Sequence, residues 1–183
     1  SPALGPRLYR PVPASSSRPP PSASGGTWGS GYPILRGAAR FEDGGDVLTL
    51  CAGGRPLAGG SDSLHFVSQE WTGDLVLQCR VAPVVGSTME RPTVGVMLRS
   101  SLAADAPCAS LSLVRALATA VRFQYRSVPG GLLVSKSRTV ANSPDPYSWV
   151  RILRAGDDFI GSTSEDGVTW EEVGRSTLDG FPE

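Results

Sequence analysis

A chain of 183 residues, 40% of them apolar, is long enough for one domain with a sizeable buried core. Seventeen basic residues balance seventeen acidic ones, which excludes a nucleic-acid backbone binder, a task that needs surplus cations. Twenty-two glycines and sixteen prolines suit a chain that turns often.

The N-terminal stretch stands apart in composition. Residues 1–31 hold seven prolines, seven serines and five glycines, so they bring little to pack and lack many backbone donors. They also carry three arginines and no acid, whereas Asp157–Glu183 carries eight acids against Arg175 alone. The predicted organisation is an extended arm over 1–31 followed by a β-sandwich domain over 32–183. The arm is expected to gain order on a partner, with Leu4, Leu8, Tyr9 and Val12 as apolar anchors. Arg7 and Arg10 would supply charge, and Trp28 in the glycine-rich hinge a further anchor. A disordered linker or leftover leader is the plainer alternative. The start at Ser1 fits a removed export segment, a trimmed chain or an incomplete record of the mature chain, the first being slightly favoured. No window approaches 18 apolar residues, so no membrane-spanning stretch is expected.

From Ile34 onward, short segments of strand-like alternation lie between Gly, Pro and Asp turns. The predicted strands are Asp46–Ala52, Ser63–Trp71, Asp74–Val81, Thr93–Arg99, Ala109–Leu113, Ala120–Arg126, Leu132–Ser135, Ser148–Arg154, Asp158–Ser162 and Val168–Val173. In Asp74–Val81, Leu75, Leu77, Cys79 and Val81 should point inward while Gln78 and Arg80 point out. Ser101–Ala106 and Val114–Ala120 are each compatible with one helical turn. The expected fold is all-β, a two-sheet antiparallel sandwich of jelly-roll type.

Five segments occur in a recognisable order: Asp62–Asp74, Val94–Pro107, Val121–Gly131, Pro146–Phe159 and Ser162–Gly174. Together they resemble the DUF1349-type domains of the concanavalin A-like lectin/glucanase superfamily, over roughly residues 44–178. The resemblance implies two antiparallel sheets packed face to face, and accessory modules in exported bacterial proteins. Departures fall at Arg91–Gly95 and Cys51–Pro56, segments that differ from the family's usual ones. Within the superfamily some members bind sugars, some cleave them and others make protein contacts, so fold alone does not choose.

Catalytic patterns are missing. A glycosidase needs two carboxyls across one cleft, about 5–5.5 or 6.5–9.5 Å apart. No Glu-x-Asp-x-x-Glu strand occurs, and Glu171 and Glu172 are strand neighbours that must face opposite ways. There is no Gly-x-Ser-x-Gly elbow, and His65, the single histidine, is expected to be a structural hydrogen-bonded one. Cys51, Cys79 and Cys108 form no Cys-x-x-Cys pair, so no metal or cofactor is expected; one disulfide or three buried thiols both remain open. Ser164–Trp170 resembles a shortened Asp-box hairpin, in which Asp166 accepts turn N–H groups and Gly167 permits positive φ. Arg99, Arg122 and Arg126, with Tyr125 and Trp149, are candidate ligand contacts on a concave sheet, against a default of solvated or scaffold residues.

The expected function is a non-catalytic interaction or assembly module outside the cytoplasm, periplasmic or secreted. Its partner would be a protein or a multi-subunit complex, at a membrane surface. A carbohydrate-binding module is the main alternative and a glycoside hydrolase the lesser one.

Overall fold

The computed structural model describes residues 8–12, 29–30, 38–42, 47–51, 57–82, 84, 92–114, 120–139 and 148–181. Among them run thirteen strands and no helix: β1 (Leu8–Val12), β2 (Gly29–Ser30), β3 (Ala38–Glu42), β4 (Val47–Cys51), β5 (Val67–Ser68), β6 (Leu75–Val81), β7 (Thr93–Arg99), β8 (Cys108–Val114), β9 (Ala120–Arg126), β10 (Val134–Thr139), β11 (Ser148–Ala155), β12 (Asp158–Ser164) and β13 (Glu171–Thr177). One sheet has the order β1-β6-β11-β12-β13 and the other β10-β9-β8-β7; β2-β5 and β3-β4 form two small pairs. All pairings are antiparallel. The chain is an all-β, two-sheet sandwich.

The alternation of residue types builds that sandwich. On β6, Leu75, Cys79 and Val81 are buried, and Leu77 packs on the core. They meet Val150 and Ile152 of β11 and Phe159 of β12. The other sheet contributes Ala109, Leu111 and Leu113 from β8, Val121 and Phe123 from β9, and Val96 from β7. Leu178 and Phe181 close one end, where the Phe159 and Phe181 rings lie 4.7 Å apart. Two glycines let the sheets approach. Gly161 and Gly174 are register partners on β12 and β13, and the Phe123 ring fills the notch above both. A Cβ on Gly174 would stand 2.9 Å from Phe123 Cδ1.

Several boundaries differ from the sequence expectation, each for a local reason. The strand expected over Val168–Val173 begins only at Glu171, because the Val168 and Thr169 N–H groups donate to Asp166 instead of to a ladder. The strand expected at Leu132–Ser135 starts at Val134, after a turn in which Gly131 N–H donates to Val128 O. Of Ser63–Trp71, only Val67–Ser68 pairs, with β2. Ser101–Ala106 is a turn-rich loop, not a helix; Ala106 N–H donates to Ala103 O across it. Of the second expected helical turn, Val114–Ala120, the two end residues belong to β8 and β9, and 115–119 lie outside the described residues.

Candidate functional site

The arm enters the larger sheet. β1 runs antiparallel to β6, with Leu8 opposite Cys79, Tyr9 opposite Gln78 and Val12 opposite Val76. The register shifts between Tyr9 and Val12, where Arg10 and Pro11 stand. Proline has no N–H to give a ladder and is tolerated on edge strands, which is where β1 lies. Part of the arm's order therefore comes from the chain's own sheet. Leu4, Arg7 and Trp28 lie outside the described residues.

The candidate arginines divide. Arg99 and Arg126 sit on the outward face of the four-stranded sheet, flanking Cys108 in register. Both are closed off by Asp62. Arg126 donates from Nη2 to Asp62 Oδ1 at 2.6 Å and from Nη1 to Oδ2 at 3.2 Å. Arg99 Nη1 reaches the same Oδ2 at 2.5 Å. Arg126 also donates to the carbonyls of Gly59, Ala104, Ala106 and Gly131. Its side chain is 0% exposed and that of Arg99 7%, so neither offers a donor to a ligand. Their work is to pin three loops, 57–62, 99–107 and 126–131, onto one anion. Burial opposes the Arg126 charge, but the hydrogen bond and charge of Asp62 outweigh it, and the guanidinium pKa lies above its ordinary value.

The other candidates separate further. Arg122 shares the outward face of the four-stranded sheet, half-buried between Ser112 and Ser137 in register. Ser112 Oγ, beside it, is buried with no hydrogen-bond partner. Tyr125 faces the opposite way, packing on the core near Phe123 at 6.1 Å between ring centroids. The reason is strand alternation: an odd step from Arg122 or Arg126 reverses the face. Trp149 belongs to the other sheet, on β11. The five expected ligand contacts do not form one surface.

What the sequence did not single out is the outward face of the five-stranded sheet. Its central rung aligns Gln78, Arg151, Ser162 and Glu172 across β6, β11, β12 and β13. The Arg151 guanidinium lies 4.0 Å from the centroid of the Trp170 ring. Its Nε is buried without a hydrogen-bond partner, and Arg151 makes no ion pair among the described residues. Burial lowers its pKa. Glu172 is occupied elsewhere, accepting from Arg175 Nε and Nη2 at 2.9 and 2.6 Å. One signal was available: Arg151 alternates with the inward Val150 and Ile152, which placed it on an outer face.

The hairpin beyond this rung holds Trp170 in position. Asp166 Oδ1 accepts from the N–H groups of Val168 and Thr169, both at 2.7 Å, and from Ser164 Oγ at 2.9 Å. The Thr169 and Val168 N–H groups, followed by Ser164, hold the Asp166 carboxyl well below the usual carboxylate range. Gly167 adopts φ 77°, and a Cβ there would meet the indole of Trp149. The ring that covers the turn is thus Trp149, while Trp170 is left to stack on Arg151.

The remaining reactive groups are scattered. All three cysteines are free thiols, Cys51 exposed and the other two buried. Burial pushes the Cys79 thiol up to about 12 and, with Asp62, raises that of Cys108. His65 Nε2 is buried with no hydrogen-bond partner. Glu171 points to the sheet edge, where it pairs with Arg138 of β10 at 2.9 Å. Among the described residues no three His, Cys, Asp or Glu side chains gather to hold a metal ion, and no helix is long and apolar enough to cross a membrane. Against family models, curated proteins and solved structures the chain finds no match.

Proposed function

We propose that this chain is a non-catalytic interaction module that acts outside the cytoplasm, as an accessory subunit on a larger complex at a membrane surface. The observation that carries the reading is the place of β1. A proline-containing strand with a broken register forms the edge of the five-stranded sheet. Such an edge presents unpaired backbone groups, and extension or replacement of the edge strand is a general mode of peptide recognition. The arm is the element through which a partner engages: it continues the sheet outward, or leaves β6 to a partner's strand. The resemblance to DUF1349-type accessory domains supports the same reading and the extracytoplasmic setting.

Deletion of residues 1–24 tests it. The core lies between Cys79 and Phe181, so the truncated chain retains both sheets apart from β1. Affinity purification from the native host should recover the full chain with its complex and the truncated chain alone. Recovery of the same complex, undiminished, by the truncated chain would overturn the proposal.

A further inference from the structure

Among the described residues, Arg151 is a half-buried charge with no hydrogen bond and no ion pair. Its guanidinium carbon lies over the Trp170 ring, 4.0 Å from the centroid, its Nε is buried and unbonded, and no carboxylate pairs with it among the described residues. The nearest acid along the rung, Glu172, is committed to Arg175. An arginine stacked on an indole keeps its in-plane N–H groups free for a planar, two-oxygen acceptor. Beside it in register stand a half-buried amide, Gln78, and a buried hydroxyl, Ser162, with Trp149 one rung away.

We propose that the outward face of β11 and β12, centred on Arg151 and Trp170, binds a carboxylated sugar, a uronate unit of a glycan. The carboxylate takes the guanidinium edge, the ring lies against the half-buried indole, and a ring hydroxyl meets Gln78. The position in the sheet favours a sugar over an acidic peptide. β11 and β12 are interior strands, both already paired on two sides, so a peptide finds no free backbone ladder there. A uronate, by contrast, presents carboxylate, hydroxyls and an apolar ring face within the span of one rung. Tyr9 of β1 stands opposite Gln78 in register, so the site borders the arm, while Arg151 lies on the far side of β6 from it.

The test uses the full chain and trigalacturonate, read by calorimetry and by tryptophan fluorescence. Saturable binding is expected, weaker at high salt, with the neutral galactose trisaccharide at least about tenfold weaker because it lacks the charge-assisted pair. Arg151→Gln should lose at least about tenfold. Arg151→Lys, which keeps the charge but not the fork, should lose part of that, and it decides the matter if Arg151→Gln does not fold. Absence of saturable binding by the wild-type chain would overturn the proposal. So would equal binding of the neutral trisaccharide, or undiminished binding by a folded Arg151 variant. A triglutamate peptide that binds as tightly would move the carboxylate to a protein partner and overturn the assignment to sugar. Arg151→Gln leaves β1 in place and should still recover the complex through the arm, so this result and the fate of the arm proposal are read separately.

Discussion

Asp62 meets Arg126 end-on, with Nη2 to Oδ1 at 2.6 Å and Nη1 to Oδ2 at 3.2 Å, and neither side chain reaches solvent. Arg99 approaches the same carboxylate from the neighbouring strand side, so one anion faces two cations. Asp62→Asn leaves two buried guanidiniums without their counter-charge and should destabilise the fold by about 3–5 kcal/mol. Adding Arg99→Gln removes one of those stranded charges. The double variant should therefore lose clearly less than the sum of the two single losses. Urea melts of the four proteins measure the difference, and strict additivity would show that Arg99 does not share the node.

Phe123 and Gly161 set how closely the two sheets stack. A Cβ at Gly161 would run into the Phe123 ring and stand 3.1 Å from Leu111 Cδ1. Gly161→Ala should cost about 1–3 kcal/mol by overpacking. Phe123→Leu should recover part of that loss in the Gly161→Ala background, while destabilising the wild-type chain by opening a void. Thermal melts of the single and double variants check the sign change.

The strand pattern was readable where a segment alternates without interruption between turn residues. Thr93–Arg99 and Ala120–Arg126 match β7 and β9 at both ends, and the inward set on β6 follows its apolar residues. Legibility failed where a side chain overrides the ladder. Asp166 takes the N–H groups that Val168 and Thr169 would have given to a strand. It failed again at Leu8–Val12, whose proline argued against a strand that only an edge position allows. For the site, alternation placed the arginines on outer faces but could not reveal Asp62, 37 residues before Arg99 and 64 before Arg126, as their shared partner. That contact exists only because loops 57–62 and 99–107 are folded together, and no local spacing encodes it.

Thiol chemistry should separate the cysteines cleanly. Cys51 is exposed, and Cys79 and Cys108 are buried with raised pKa values. Iodoacetamide at neutral pH should alkylate one thiol in the native chain and three after denaturation, counted by mass spectrometry. The shift also sets an alkaline limit on stability. An unfolded chain gives up the Cys79 proton near 9.0, whereas the folded one holds it up to about 12. The folded state then binds more protons than the unfolded state in that window, so stability falls as pH rises through it, by at most about 1.4 kcal/mol per pH unit for one thiol. Cys79→Ala should flatten this slope while lowering stability at neutral pH.

Asp166 sets the opposite, acidic limit. Hydrogen bonds from Thr169, Val168 and Ser164 hold its carboxyl below the usual range, so the folded state releases the proton more readily than the unfolded one. The stability this confers is present above the unfolded value, about 3.9 for an aspartate, and is lost as pH falls through the folded one. Asp166→Asn retains a side-chain carbonyl for the turn but nothing that titrates. Its stability should therefore change less between pH 5 and pH 2 than that of the wild-type chain, followed by urea midpoints across roughly that range. Because the folded carboxyl keeps its charge well below the usual range and the turn carries Trp170 to Arg151, the tryptophan fluorescence of the folded wild-type chain should stay flat as pH falls through the ordinary aspartate value. A shift centred on that ordinary value would show that the Ser164–Thr169 turn does not hold the carboxylate in its charged form.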